Sequence, residues 1–416
     1  MTPNVDIEII LNEYSNNTTM KSIIGVVQKY LENIIVRPNS VINIDEEGIS
    51  VLNNSVKTII VGEIPNYNKS FVDFKHLKVN WFVYKLDTDG PVEQNEDDGD
   101  DAQTTISTQI TLPSVTLLNM WENLYFDNNI KQNLLKYAET MMEFSDKGVD
   151  NNVISCNRVF LLHGPPGTGK TSLCKALAQK LTIRMGNRFS SGILIEINSH
   201  SLFSRWFSES GKLVNKMFSR INDFVENRNI LVCVLIDEVE SLAHARNQCL
   251  SGTEPSDSIR VVNALLTQID QIKRHPNVLI FATSNMTESI DLAFVDRADI
   301  KQYLDMPSVQ AIYKVYHSCI NELIKAKIIQ DLILEPIEHL MNDQPHSAET
   351  QQLLDLCKKS LGLSGRSLRK IPFLAHALYL NGSFSNLNEF LTAMDKAVEK
   401  EIWERSYFAG LKQENK

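Results

Sequence analysis

One stretch constrains this chain more than any other: Gly164-Pro165-Pro166-Gly167-Thr168-Gly169-Lys170-Thr171. Its spacing is G-x-x-x-x-G-K-[ST], the loop whose backbone amides cradle a nucleotide's phosphates. The flanks suit that loop. Residues 158–163, Arg-Val-Phe-Leu-Leu-His, are short, mostly apolar and bounded by glycine, as expected of a buried parallel strand. Residues 172–181 read as a helix, with Leu173, Leu177 and Leu181 four apart. Strand, glycine loop and helix together aim backbone N–H groups and a helix N-terminus at phosphate. Lys170 is expected to reach the β/γ-phosphates, and the Thr171 hydroxyl to hold Mg²⁺. Ser172, which opens the helix, completes the expected nucleotide-binding set, so the chain is expected to bind a nucleoside triphosphate such as ATP.

The 416 residues leave room for two or three domains. At 43% hydrophobic and 22% charged the composition is that of a globular protein, and no apolar run is long enough to span a membrane. The first residues carry no basic, signal-like pattern. Six cysteines without a C-x-x-C pair argue for a reducing compartment and against zinc. The net charge is −10, and residues 1–110 hold 8 Lys and Arg against 17 Asp and Glu. No basic stripe stands out, so direct nucleic-acid binding is not expected, nor is a membrane partner. An acidic front segment either attracts a basic partner or is simply solvated.

In chain order, residues 1–90 read as a small mixed domain. Strand-like runs lie at 5–11 and 77–84, and an amphipathic helix runs from 22 to 34 through Ile23, Ile24, Val27, Tyr30, Leu31 and Ile34. It carries no catalytic constellation and is taken as a binding module by elimination. Residues 91–111 read as an acidic linker, because Glu93 to Asp101 is too charged and too poor in apolar residues to fold alone, which implies a movable front module. Residues 112–306 form the nucleotide domain, with apolar runs at 193–197, 231–236 and 278–283 set between helical stretches, the pattern of a parallel sheet covered on both faces. Residues 307–416 are helical by period and read as a separate small domain.

Two carboxylates, Asp237 and Glu238, close the run 231–236. The C-terminal ends of strands in open α/β sheets are where ligands bind. There Asp237 is expected to hold Mg²⁺, and Glu238 to orient and activate the attacking water. Asn285 ends the next strand and would position that water or touch the γ-phosphate, a turn-forming asparagine being the plain alternative.

Together these pieces resemble the AAA+ ATPases from about residue 113 onward. More specific are Ser201 to Lys212, Asp237-Glu238-Val239-Glu240-Ser241-Leu242, Gly252 to Asp257, Phe294-Val295-Asp296-Arg297-Ala298-Asp299 and Gly362-Leu363-Ser364-Gly365-Arg366. These runs are similar to those of the pachytene checkpoint ATPase family, also called the thyroid hormone receptor-interacting protein thirteen family. The resemblance implies an α/β fold: an AAA+ P-loop parallel-sheet domain, a C-terminal helical small domain and an N-terminal mixed α/β domain that recognises substrate and adaptor.

It further implies a homo-hexameric ring, driven by ATP and Mg²⁺, that remodels HORMA-domain proteins of the spindle checkpoint and the meiotic chromosome axis. An adaptor with a HORMA fold would present the former, and nucleus, chromosomes and cytoplasm would be the places of action. Arg297 would be the arginine finger reaching the neighbouring subunit's ATP, although many relatives carry two arginines where this chain has one. Arg366 would sense the γ-phosphate from the small domain. Trp206 and Phe207 would form the central-pore loop that grips the client, with Ser208 where the common pattern has glycine. A DNA-acting motor, a non-hydrolysing scaffold and a generic unfoldase remain alternatives at this point.

Overall fold

The computed structural model describes residues 4–12, 20–44, 55–64, 71–96, 104–198, 210–241, 257–285, 290–330, 334–335, 337, 347–382 and 384–414. Trp206 and Phe207, Ser208 and the run 252–256 lie outside them.

Among the described residues, the front unit is a four-stranded sheet with one α-helix. Its strands are β1 (Asn4–Leu11), β2 (Ser40–Asn43), β3 (Val56–Val61) and β4 (Lys78–Tyr84), in the order β2-β3-β1-β4. β1 runs antiparallel to β3 and parallel to β4. Helix α1 (Met20–Glu32) buries Ile23, Val27 and Leu31 in the cluster formed by Val5, Ile7 and Ile9. Side chains alternate across a strand, so Asp6 and Glu8 point to the other face of β1. That face meets the nucleotide domain.

The second sheet has seven strands: β5 (Val92–Glu96), β6 (Thr104–Leu112), β7 (Val159–His163), β8 (Ser191–Asn198), β9 (Ile230–Asp237), β10 (Val278–Ser284) and β11 (Ile300–Tyr303). Their order is β11-β7-β10-β9-β8-β6-β5. The first five are mutually parallel, as the apolar runs imply. Alternation along β7 sends Val159 and Leu161 to one face, Phe160 and Leu162 to the other. The first face packs on α4 (Ser210–Glu226) and α5 (Asp257–Ile272), the second on α2 (Ile130–Asp146) and α3 (Lys170–Arg184). With both faces covered, the strands must be apolar throughout.

The reading of 91–111 as an unfolded linker is corrected here. Residues 92–96 and 104–112 are β5 and β6, and β6 joins the sheet antiparallel to β8. An edge strand needs a partner for its backbone rather than apolar side chains, and charge on an edge deters pairing between molecules. Ser107 donates to Gln94 at 3.0 Å, and Gln94 to Gln109 at 3.2 Å, so the polar residues bond across the pair. The join to the front unit is also fixed: Asp87 N donates to Pro113 O at 2.7 Å, and Val115 N to Asp87 O at 2.9 Å.

After the short α6 (Leu292–Val295) and β11, four helices form the C-terminal unit: α7 (Val309–Lys325), α8 (Ala348–Lys359), α9 (Gly365–Tyr379) and α10 (Leu387–Glu414). Ser308, Ser347 and Ser364 cap α7, α8 and α9 by accepting from the amides of Ala311, Thr350 and Ser367. Their apolar faces meet in one cluster around Tyr313, Tyr316, Leu368 and Phe390. Among the described residues, no helix is long and apolar enough to cross a membrane.

Candidate nucleotide site

The loop between β7 and α3 has the backbone its glycines allow. Gly164, Gly167 and Gly169 all have positive φ, at 139°, 77° and 95°. At Gly164 a Cβ would lie 2.2 Å from the Leu304 carbonyl oxygen, so nothing larger fits. Thr168 braces the turn by donating to Pro165 O at 2.9 Å, and Pro166 is exposed. Lys170 is buried, and its ammonium donates to the carbonyls of Gly164 at 2.9 Å and Pro165 at 2.7 Å. Burial lowers its pKa, against the pull of Glu240 and Asp237, and Arg366 lowers it further.

Beside the loop, Thr171 Oγ1 donates to Asp237 Oδ1 at 2.9 Å, and the Thr283 hydroxyl donates to the same oxygen. These are the hard oxygen donors that suit Mg²⁺, the hydroxyl from the loop and the carboxylate from the end of β9. Ser172 follows in the first turn of α3 and is half-buried. Glu238 leaves the strand in a left-handed conformation, φ 57°, with its amide donating to Thr283 Oγ1 at 3.3 Å. Its side chain is exposed at the strand end. Non-glycine residues held at positive φ cluster where structure has to aim a functional group.

Asn285 directly follows β10, next to the loop. Gly164 N donates to Ser284 O at 3.2 Å, and Asn285 N donates to Glu240 Oε1 at 3.1 Å. The C-terminal unit reaches the same loop. Arg366 N donates to Gly167 O at 3.2 Å, and a Cβ on Gly167 would lie 2.8 Å from Ser364 Oγ.

The fold thus gathers Lys170, Thr171, Asp237, Glu238, Asn285 and Arg366 around one loop. Arg297 stands apart, at the turn after α6, with its guanidinium on Asp270 of α5. Four contributors were not singled out from sequence. Thr283 and Glu240 act through contacts across the sheet. Leu124 and Phe126 lie against the loop, each within 3.5 Å of where a Gly169 Cβ would stand. The dense apolar run 124–126, placed without helical or strand period before α2, was the available signal.

Residues 160–306 match the ATPase family associated with various cellular activities (AAA), and residues 308–402 match the TRIP13-like, AAA+ ATPase lid C-terminal domain. The human pachytene checkpoint protein 2 homolog is 48% identical over 415 residues, covering 98% of this chain and 95% of that protein. The Xenopus tropicalis homolog is 55% identical over 81% of this chain and 79% of its own length. The solved structure of C. elegans PCH-2 superposes with a TM-score of 0.76 at 35% identity, covering 96% of this chain and 99% of that one. The chain belongs to the pachytene checkpoint protein 2 family of AAA ATPases.

As a family member it is an ATPase, and the site carries the parts such an enzyme needs. The segment that matches the lid, residues 308–402, includes Arg366, whose amide meets the loop at Gly167. The structure of the E. coli MS115-1 HORMA:CdnC:Trip13 complex also shares the fold, with a TM-score of 0.53 at 18% identity.

Proposed function

We propose that this chain assembles as a homo-hexamer that spends ATP on remodelling HORMA-domain proteins. What carries the reading is the meeting of three things on one loop: the strand-end acids, the lysine and the lid. Lys170 sits where it can exchange two carbonyl oxygens for phosphate oxygens. Glu238 takes the proton from the attacking water, and Asn285 holds that water in line. Thr171 and Asp237 would hold Mg²⁺, which would supply charge neutralisation for the phosphates. Arg366, joined to Gly167 through its backbone, transmits the state of the loop to the lid.

Arg297 reaches the ATP of the next subunit, which makes hydrolysis depend on assembly. Trp206 and Phe207 form the pore loop, where flat rings grip an extended client through area alone. The clients are HORMA-domain proteins of the spindle checkpoint and the meiotic axis, the former presented by an adaptor of HORMA fold, in nucleus, chromosomes and cytoplasm. Support comes from the family and from the HORMA:CdnC:Trip13 complex, where a chain of this fold is found with a HORMA protein.

The test is a pull-down with Glu238→Gln in saturating ATP and a purified HORMA-domain protein. Retention of that protein on a stalled assembly is the expected result. A chain that stays monomeric in ATP, or an assembly that retains no HORMA protein, would defeat the proposal.

A further inference from the structure

Away from the nucleotide, the C-terminal half of α3 carries two cations one turn apart, Lys180 and Arg184. They face two acids on the outer side of β1, Asp6 and Glu8, which alternation places together. Lys180 Nζ donates to Glu8 Oε1 and to Glu122 Oε1, each at 2.7 Å. Both Lys180 and Glu8 are almost wholly buried, at 5% and 3% exposed. Tyr84 of β4 donates to the second oxygen of Glu8 at 3.2 Å.

Arg184 pairs with Asp6, and its guanidinium lies 4.6 Å over the Phe82 ring. Asn80 donates to the other oxygen of Asp6 at 2.8 Å. Acids of the front unit therefore meet bases of the nucleotide domain, and the front unit's charge is partly spent inside the chain. A buried lysine held by two carboxylates is over-determined in position, and removing the lysine takes from both buried acids the cation they share.

The same helix begins at Lys170, so one rigid rod joins the phosphate loop to the seat of the front unit. Helices transmit displacement along their length because their hydrogen bonds are internal. The lid, by contrast, meets the loop at Gly167 through one backbone hydrogen bond and the close packing of Ser364.

We propose that Lys180 is a positioning residue that latches the N-terminal domain to the phosphate-binding helix, so that this domain travels with the loop through the ATP cycle while the lid turns against both. Lys180 touches neither nucleotide nor client. Its part is to keep a bound client at a fixed angle to the motor, so that a pull is not absorbed by a swinging domain. This rests on the HORMA-remodelling reading only for the identity of the client.

The test uses the full chain and its neutralised latch, Glu8→Gln with Lys180→Met and Glu122→Gln, which removes the three latch charges together and leaves Lys131 its pairing with Glu63. Hydroxyl-radical labelling of Phe82, Tyr84 and Trp121 reports docking. In the unmodified chain the labelling rate is expected to agree within about twofold between ADP and ATP, and to rise at least about fivefold in the variant. Basal ATPase should stay within about twofold, while stimulation by a HORMA-domain protein falls about fivefold or more. If the variant does not fold, Asp6→Asn with Arg184→Met opens the outer arm alone and is read in the same way.

Labelling that changes between ADP and ATP in the unmodified chain would overturn the latch, as would a loosened variant that still responds fully to the client. If the unmodified chain ignores HORMA proteins, the fault lies with the client assignment, and the labelling arm still decides the latch.

Discussion

Arg297 lies side-on against Asp270. Its Nε reaches the two carboxylate oxygens at 3.1 and 3.2 Å, and Nη2 donates to one of them at 2.8 Å. Nη1 donates to the Ala293 carbonyl, so the guanidinium is held from two sides. A guanidinium has five donors in a rigid fork, and these bonds leave one on each of Nη1 and Nη2. A donor left on each of these two nitrogens can serve phosphate oxygens. The intramolecular bonds therefore hold Arg297 in place while leaving donors for the finger role proposed for it.

Loosening this hold should slow hydrolysis while sparing nucleotide affinity. Asp270→Asn is expected to lower turnover about tenfold, and Arg297→Ala by about 10³ or more, the scale of an arginine finger. Phosphate release and ATP binding, measured side by side, check the split. Burial alone would raise the Asp270 pKa, but the hydrogen bonds from Arg297 and Lys273 outweigh it and hold the carboxyl below its ordinary 3.8. A depressed carboxylate contributes fully above the ordinary value and loses its contribution as pH falls through the folded one. The pair should thus survive mild acid, and the acid limb of turnover above pH 4 should be the same in Asp270→Asn.

Glu238 offers a separation of stability from activity. Glu238→Gln keeps shape and hydrogen bonding but removes the carboxylate proposed as the base, so ATP binding should persist while turnover falls about 10²- to 10⁴-fold. Glu238→Gly is expected to abolish turnover as well, yet to match or exceed the parent's stability by up to about 1 kcal/mol, since glycine relieves the left-handed backbone. Thermal unfolding beside an ATPase assay distinguishes strain kept for function from strain without use. A fall in stability would mean that the carboxylate itself holds the turn.

The glycines of the loop differ in what a methyl group would meet. At Gly164 it would strike the Leu304 backbone at 2.2 Å, where neither partner can yield. Gly164→Ala should therefore lower stability by more than about 2 kcal/mol. At Gly167 the obstacle is the Ser364 side chain of the lid, so Gly167→Ala should cost about 1 kcal/mol or so and chiefly weaken the ATP dependence of turnover. Gly148, at φ 64° with nothing within 4 Å, is the control for backbone strain alone. Unfolding curves and the KM for ATP of the three variants check the order.

How much of this was legible in the sequence follows from which residues act locally. The loop, its strand and its helix announce themselves, because glycine spacing and a buried parallel strand each leave a contiguous trace. Asp237, Glu238 and Asn285 were legible because strand ends interrupt apolar runs. β5 was not, because Glu93 and Gln94 serve an edge, where backbone pairing suffices and composition says little. Asp270 and Glu240 owe their roles to partners 27 and 45 positions away, which no local pattern encodes. Lys180 misleads most. Its charge suggests a surface helix, yet α3 is buried nearly all round, including Ala176, Gln179 and Lys180. Asp6 and Glu8 belong to the acidic front segment, for which a basic partner and plain solvation were both open, and the structure turns them inward against α3.

That buried cluster makes a prediction about pH whose sign reverses on one substitution. Burial would raise the Glu122 pKa, but Lys180 outweighs it and the folded value is depressed below the ordinary 4.5. Burial would lower Lys180, but Glu8 and Glu122 raise it above its ordinary 10.5. Glu122 therefore contributes fully above the ordinary carboxylate range and is lost as pH falls through its folded value. Lys180 contributes fully below its ordinary value and is lost only as pH rises through its folded one. Across neutral pH these two groups should leave stability flat. In Lys180→Met, Glu8 and Glu122 lose the ammonium they share, with Lys131 still beside Glu122, at a cost of about 3–5 kcal/mol. Burial would then act on Glu122 with less to oppose it and raise its pKa, so the variant should regain stability on acidification as Glu122 protonates. Thermal unfolding from pH 8 down to 5 checks this: the parent should change little, and the variant should converge on it. A variant that runs parallel to its parent over that range would show that Glu8 and Glu122 find solvent once Lys180 is gone, and that the cluster does not enclose its charges.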